Sequence, residues 1–196
     1  MSTYFYAVAI QDDFIRSYLD LLRFIANPNE KRTAHITVRG PYSKKVNLEK
    51  QSKMIHGENV QVVGVDKFYS QSQNTLFLRC ESKGLREIWL KKGHPYNPHI
   101  TIYDGKDRLL ADSLLEIMSK YHISFHFPAS QLYPLLIRKG QSNIDLALCA
   151  DFPLLGRLLR RGIDVDHIRN MPLSQRIGLF SEACSFLPHL RQLKQV

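Results

Sequence analysis

Two short segments of this chain combine a histidine with a threonine in the same pattern. Residues 35–40 read His-Ile-Thr-Val-Arg-Gly, and residues 99–105 read His-Ile-Thr-Ile-Tyr-Asp-Gly. Imidazoles take up and release protons near neutral pH, and hydroxyl groups can donate hydrogen bonds to anionic oxygens. Two such segments brought together would supply an acid, a base and two hydroxyl donors, which is the chemistry needed to split a phosphodiester.

Both segments alternate apolar and polar residues with a period of two. In residues 34–39 and 98–103 every second residue is apolar, and the histidine and threonine lie between the apolar positions. This pattern is typical of a half-buried strand with one face on a core. Because a strand rises about 3.3 Å per residue, each histidine would stand about 6.6 Å from its threonine on the outward face. The predicted catalytic residues are His35, Thr37, His99 and Thr101.

The two motifs and their surroundings resemble the 2H phosphoesterase superfamily. Its members carry two His-x-Thr/Ser-x motifs, one in each of two similar lobes, and include the 2′-5′ RNA ligase-like proteins and the RNA cyclic phosphodiesterases. The resemblance covers about residues 1–138. It includes an aromatic first strand at 4–10, segments 64–68 and 76–79 that look like the central hairpin, and a proline before the second motif.

The resemblance implies an α+β fold of two lobes, in which two antiparallel sheets face each other across a cleft and the helices lie outside. Residues 1–140 would form this 2H phosphoesterase domain. The sequence changes character after Gly140, where apolar stripes alternate with basic residues. We therefore expect residues 141–196 to form a C-terminal helical extension.

Patterns of apolar and turn-forming residues predict the elements around the motifs. Besides the two motif strands, the predicted strands cover residues 3–10, 60–69, 75–80, 122–127 and 131–138. The predicted helices carry residues 14–25, 47–56, 85–90, 107–120, 143–152, 153–161 and 172–187. Asp12 or Asp13, Asn47 and Ser82 are the expected N-caps of the first three helices, and Gly40-Pro41 is expected to form a turn.

The resemblance also implies an activity, which is hydrolysis of 2′,3′-cyclic phosphates on RNA or nucleotides without a metal. One histidine would activate water, the other would protonate the departing ribose oxygen, and the phosphate would remain on the 2′ oxygen. By position we assign His99 as the base and His35 as the acid, although the sequence does not distinguish them. Two alternatives stay open: a phosphodiesterase of 2′-5′-linked or cyclic signalling oligonucleotides, and a catalytically silent RNA-binding module.

Three further residues are predicted to bind substrate. Arg39 shares the outward face of His35 and would add a charged donor for phosphate. Tyr103 occupies the matching place on the second motif strand, where it would stack on a base or donate from its hydroxyl. Tyr6 is expected to line the groove from the first strand, although an aromatic core face explains it equally well.

The bulk composition bears on partners and cofactors. The 196-residue chain has a formal net charge of +9, which favours polyanions such as an RNA or oligonucleotide partner. It has no apolar run of membrane-spanning length, no phosphate-binding glycine loop and no histidine pair with metal-ligand spacing, so we expect no membrane partner, cofactor or metal. Its three cysteines form no Cys-x-x-Cys pair, which is typical of a reduced, cytoplasmic protein. The sequence leaves the oligomeric state open.

Overall fold

The computed structural model describes residues 4–29, 32–90, 95–136 and 165–190. Its strands are β1 (Tyr4–Ile10), β2 (His35–Tyr42), β3 (Asn59–Tyr69), β4 (Asn74–Glu81), β5 (His99–Gly105) and β6 (Phe125–Leu136). Its α-helices are α1 (Asp13–Ala26), α2 (Glu49–Ile55), α3 (Lys83–Ile88), α4 (Arg108–Ser119), α5 (Val165–Asn170) and α6 (Leu173–Cys184), and a 3₁₀-helix covers Leu187–His189. The predicted α+β class is confirmed.

The strands form one closed antiparallel sheet in the order β1-β2-β5-β4-β3-β6. The sheet closes because β6 pairs with β3 through its first residues and with β1 through its last. We expected two strands here and two separate sheets. Instead β6 is continuous, and the Ser130 hydroxyl accepts the Ala9 N–H at 2.8 Å close to the point where β6 changes its partner strand. This side-chain contact lies at an irregularity of the β1–β6 ladder between Val8 and Ile10.

The two motif strands meet at a narrow seam in this sheet. β2 and β5 are joined by a single residue pair, Ile36 with Ile100, whereas β4 pairs with β5 along most of its length. Both isoleucines are fully buried. The two motif strands therefore pair at the middle residue of each His-Ile-Thr sequence.

Local capping fixes where several helices begin. The Asp12 carboxylate accepts the Ile15 N–H at 3.1 Å, and the Ser82 hydroxyl accepts the Leu85 N–H at 3.0 Å, which confirms both predicted N-caps. The prediction for Asn47 was wrong. Helix α2 begins at Glu49 with Leu48 as its N-cap, and the Asn47 side chain contacts the Glu49 N–H from outside the helix.

The predicted turn at Gly40-Pro41 was also wrong, because β2 continues to Tyr42. Gly40 has φ +117°, and the β1–β2 ladder is irregular next to it. A Cβ on Gly40 would lie 2.9 Å from the Tyr4 carbonyl oxygen. The glycine thus allows β2 to pass close to β1 while the strand continues.

The C-terminal described segment packs on the same core as the sheet. Phe180, Ala183 and Cys184 of α6 are fully buried in the hydrophobic cluster that also contains the inward residues of α1 and β2. The Tyr18 hydroxyl donates to the Ala183 carbonyl. The helix predicted at 172–187 is therefore observed as α6 and the 3₁₀-helix. The helices predicted at 143–152 and 153–161 lie outside the described residues.

Within the described ranges, no helix combines the length and apolar character required to cross a membrane.

Candidate functional site

The seam between β2 and β5 brings the two predicted motifs together. In an antiparallel ladder that pairs Ile36 with Ile100, His35 stands across from Thr101 and Thr37 stands across from His99. These four side chains are half-buried and lie on the face opposite the buried isoleucines. Side chains directly opposite each other have Cβ atoms about 4.5–5.5 Å apart, and diagonal pairs about 7–8 Å apart. The sheet thus places the two histidines on one surface, related by an approximate two-fold axis at the seam.

Each histidine ring is held by the backbone in the same way. His35 Nδ1 lies 2.6 Å from the Thr33 carbonyl oxygen, and His99 Nδ1 lies 2.7 Å from the Asn97 carbonyl oxygen. A carbonyl oxygen can only accept, so each Nδ1 carries the hydrogen and donates it. In the neutral ring this leaves the lone pair on Nε2, so Nε2 is the nitrogen that can accept a proton.

The neighbouring strand β4 adds residues that the sequence reasoning missed. Arg79 pairs with His99 and Phe77 pairs with Thr101, so both project from the face that bears the motif residues. Arg79 is exposed, and its guanidinium donates to the Val63 carbonyl at 3.4 Å. The alternation in β4, with Leu76, Leu78 and Cys80 in the core, is the signal that could have identified them.

A pocket of about 470 Å³ opens beside the second motif, and His99 and Thr101 are among the residues that line it. Trp89 contributes an aromatic surface. Phe68 also lines the pocket; its ring stacks on Phe77 with 4.3 Å between centroids and meets His99 edge-on at 5.1 Å. Phe68 is 43% exposed, so one face of its ring is available to a ligand. This volume is within the range of small-molecule sites.

Polar groups line another part of the pocket around Asp104. Its carboxylate accepts from the Thr75 hydroxyl at 2.8 Å and from the Gln73 amide at 2.6 Å, and Arg32 lies 3.8 Å away. Nearby, burial raises the pKa of Tyr69 to about 12, so its phenol stays protonated at neutral pH. The pocket therefore combines aromatic surfaces with groups that can hydrogen-bond to a polar ligand.

Arg39 occupies a different setting from the one expected. Its Nε donates to the Ile88 carbonyl at 2.7 Å, and Leu90, two residues further along, donates its N–H to the Val38 carbonyl at 3.2 Å. Arg39 therefore ties β2 to the C-terminal end of α3. Arg39 does not line the pocket beside His99.

The structure corrects the expectations for two tyrosines. Tyr103 is 4% exposed and packs in the core, because the β4–β5 ladder shifts register between Thr101 and Tyr103 and turns the ring inward. Its hydroxyl donates to the Asp107 carbonyl at 3.3 Å. Tyr6 is also buried, and its hydroxyl both donates to the Val46 carbonyl and accepts the Val46 N–H at 2.8 Å. It lines a second groove, which also contains Pro134 and in which His35 and His99 take no part.

No cluster of three or more histidine, cysteine or carboxylate side chains able to hold a metal occurs in the part of the chain that the structure describes. The two described cysteines, Cys80 and Cys184, are buried, and burial raises the pKa of both thiols. Both would therefore remain as protonated thiols at neutral pH.

Comparison of the chain with protein-family models, curated proteins and solved structures finds no match.

Proposed function

We propose that this chain is a phosphodiesterase of the 2H type that opens 2′,3′-cyclic phosphates on RNA or nucleotides without a metal. The observation that carries the proposal is the matched pair of histidines at the β2–β5 seam. Each ring donates its Nδ1–H to a carbonyl two residues earlier, at 2.6 Å for His35 and 2.7 Å for His99. With Nδ1 engaged, Nε2 of each ring is the nitrogen that would transfer a proton. Both rings lie on the same surface of the sheet.

The reaction needs one proton removed and one proton supplied. One imidazole takes a proton from water as the water oxygen attacks phosphorus, and the bond from phosphorus to the ribose 3′ oxygen breaks. The second imidazole gives a proton to that oxygen, leaving the phosphate on the 2′ oxygen. Thr37 and Thr101 donate hydrogen bonds to the non-bridging oxygens, where negative charge accumulates in the transition state.

The pocket beside His99 supports a nucleoside as the group attached to the phosphate. A base can stack on the exposed face of Phe68, since every base presents a flat π-surface to an aromatic ring. Arg79, across from His99 on β4, adds a cation beside this histidine. The net charge of +9 favours RNA or an oligonucleotide over a neutral substrate.

Substitution of each histidine by asparagine tests the proposal. Asparagine can place a donor near the position of Nδ1 and keep the bond to the Thr33 or Asn97 carbonyl, but it has no counterpart of Nε2. We expect His35→Asn and His99→Asn each to lower turnover of a 2′,3′-cyclic nucleotide by about 10²–10⁴-fold. Turnover by the unchanged chain should persist in EDTA.

The matched control is His56→Ala, which removes an exposed histidine at the C-terminal end of α2. Its turnover should equal that of the unchanged chain. Equal rates in the two asparagine variants and the control, or loss of activity in EDTA that divalent ions restore, would contradict the proposal. Preferential turnover of a 2′-5′-linked or cyclic oligonucleotide would retain the two-histidine chemistry and change the substrate.

A further inference from the structure

We propose that Asp20 acts on His35 through a single peptide unit and raises the proton affinity of this histidine above that of His99. The inference rests on the proposed function, which it deepens by naming a residue that distinguishes the two proton-transfer groups. Asp20 has no contact with the reacting atoms in this account. It is a positioning residue that changes the proton affinity of the histidine.

A continuous chain of hydrogen bonds links Asp20 to His35. Asp20 Oδ1 accepts the Ala34 N–H at 2.5 Å, and the carbonyl of the same peptide unit, that of Thr33, accepts the His35 Nδ1–H at 2.6 Å. The carboxylate and the imidazole therefore bind the two ends of one peptide dipole. A carboxylate on the N–H end draws the hydrogen toward itself and leaves the carbonyl oxygen more negative.

Burial makes this arrangement rigid and weakly screened. Asp20 is 7% exposed and Ala34 is fully buried, so little water separates the carboxylate from the peptide. Asp20 lies in the middle of α1, between Leu19 and Leu21, which are both in the core. A more negative Thr33 carbonyl binds the Nδ1–H more strongly when the ring is positively charged, which raises the proton affinity of His35.

The peptide unit that holds His99 cannot bind a carboxylate in the same way. The carbonyl that holds His99 belongs to Asn97, and the nitrogen of that peptide unit is the Pro98 nitrogen, which has no hydrogen to donate. No carboxylate can act on His99 by the same route. Instead Arg79 stands directly across from His99 on β4, and a neighbouring cation disfavours the protonated ring. Both observations favour a neutral His99, as a general base requires.

Other charged and titratable groups lie on the elements that carry His35 or pack around it. Arg23 on α1, Arg32 before β2 and Arg39 on β2 are cations, which oppose the effect of Asp20. The charges of Asp20 and Arg23 both act on Tyr133 on β6. Burial has the larger effect and raises the pKa of Tyr133 to about 12, so its phenol remains neutral. On β5, Asp104 accepts from Gln73 and Thr75, and His99 is the partner histidine. A change at Asp20 alone leaves these groups in place.

The direct test is an NMR titration of the two imidazoles in the full chain, with signals assigned from His35→Asn and His99→Asn. We expect His35 to titrate at higher pH than His99. Asp20→Asn keeps an oxygen that can accept the Ala34 N–H but removes the charge. It should lower the pKa of His35 by about one unit and leave that of His99 in place.

The pH profile of kcat/KM gives a second readout. A general acid must be protonated, so activity falls as the pH rises through its pKa. In Asp20→Asn the alkaline limb should therefore move to lower pH, while the acidic limb, which reports the base, stays fixed. The matched control is Asp13→Asn on the same helix, which changes the net charge equally at an exposed site and should shift neither limb.

Equal titration of both histidines in the unchanged chain, or the same shift in Asp13→Asn as in Asp20→Asn, would overturn the proposal. If Asp20→Asn folds poorly, a pKa of His35 at or below that of His99 in the unchanged chain would still overturn the proposal. Absence of turnover on every phosphodiester would contradict the proposed function alone. The titration would still decide whether Asp20 raises the proton affinity of His35.

Discussion

The histidines at the β2–β5 seam depend on residues close to them in sequence for their orientation and on distant residues for their environment. The Thr33 and Asn97 carbonyls are two positions before the rings that they hold. The aromatic neighbour Phe68 and the cation Arg79 come from β3 and β4. The orientation of the two rings is therefore fixed by nearby backbone, whereas their surroundings depend on strand pairing.

We predict that a base of the substrate stacks on Phe68. Trp89 is the only tryptophan of the chain and lines the same pocket, so its fluorescence should report binding of a nucleoside 2′-monophosphate. Phe68→Ala should weaken that binding by about 5- to 150-fold, the equivalent of ~1–3 kcal/mol for a stacked base.

Leu109→Ala is the control, because Leu109 is 81% exposed on α4 and does not line the pocket. It should bind the nucleotide as the unchanged chain does. If Phe68→Ala and Leu109→Ala bind it equally well, the base lies elsewhere.

Single residues also show where sequence reasoning succeeds and fails. The repeated period-two pattern predicted that the four motif residues share the outward side of two strands, and the pairing of Ile36 with Ile100 places them on one face of the sheet. Tyr103 has the same pattern but is buried, because a register shift after Thr101 reverses its direction. Asp20 lies on a helix with no motif, and its contact with Ala34 depends on how α1 packs against β2. Such shifts and long-range contacts have no signature in a short sequence window.

Among the elements, those defined by local patterns were predicted well and those defined by pairing were not. The alternation in β1, β3 and β4 and the caps of α1 and α3 follow from nearby residues. The continuity of β6 depends on its two different partner strands. Likewise, β2 passes through Gly40-Pro41 because β1 lies alongside it.

Gly40 offers a test at this scale. With φ +117° and the Tyr4 carbonyl 2.9 Å from a built Cβ, Gly40→Ala should lower the free energy of unfolding by about 1–3 kcal/mol. The matched variant is Gly178→Ala in α6, where nothing lies within 4 Å of an added Cβ. It should raise that free energy by about 0.5–1 kcal/mol.

Urea unfolding of the two variants measures both effects. A Gly40→Ala variant as stable as the unchanged chain would show that β1 and β2 can separate at this point without cost.

For the whole molecule, one closed sheet and its helices surround a core that extends to α6 and the 3₁₀-helix. The sequence predicted the α+β class but not the closure, since closure depends on β6 reaching both β1 and β3. The basic residues Arg157, Arg160 and Arg161 contribute to the net charge of +9 and lie outside the described residues. The surface charge and the two-histidine site are both compatible with a polyanionic substrate.

The most direct test of the central claim is the fate of the phosphate at the end of an RNA strand. An RNA ending in a 2′,3′-cyclic phosphate is incubated with the full chain in EDTA, and the product is resolved by the position of its phosphate. We expect conversion to a 2′-monophosphate end, and no conversion by the double variant His35→Asn/His99→Asn. A cyclic end that the unchanged chain leaves intact, or one that the double variant opens at the same rate, would contradict the account.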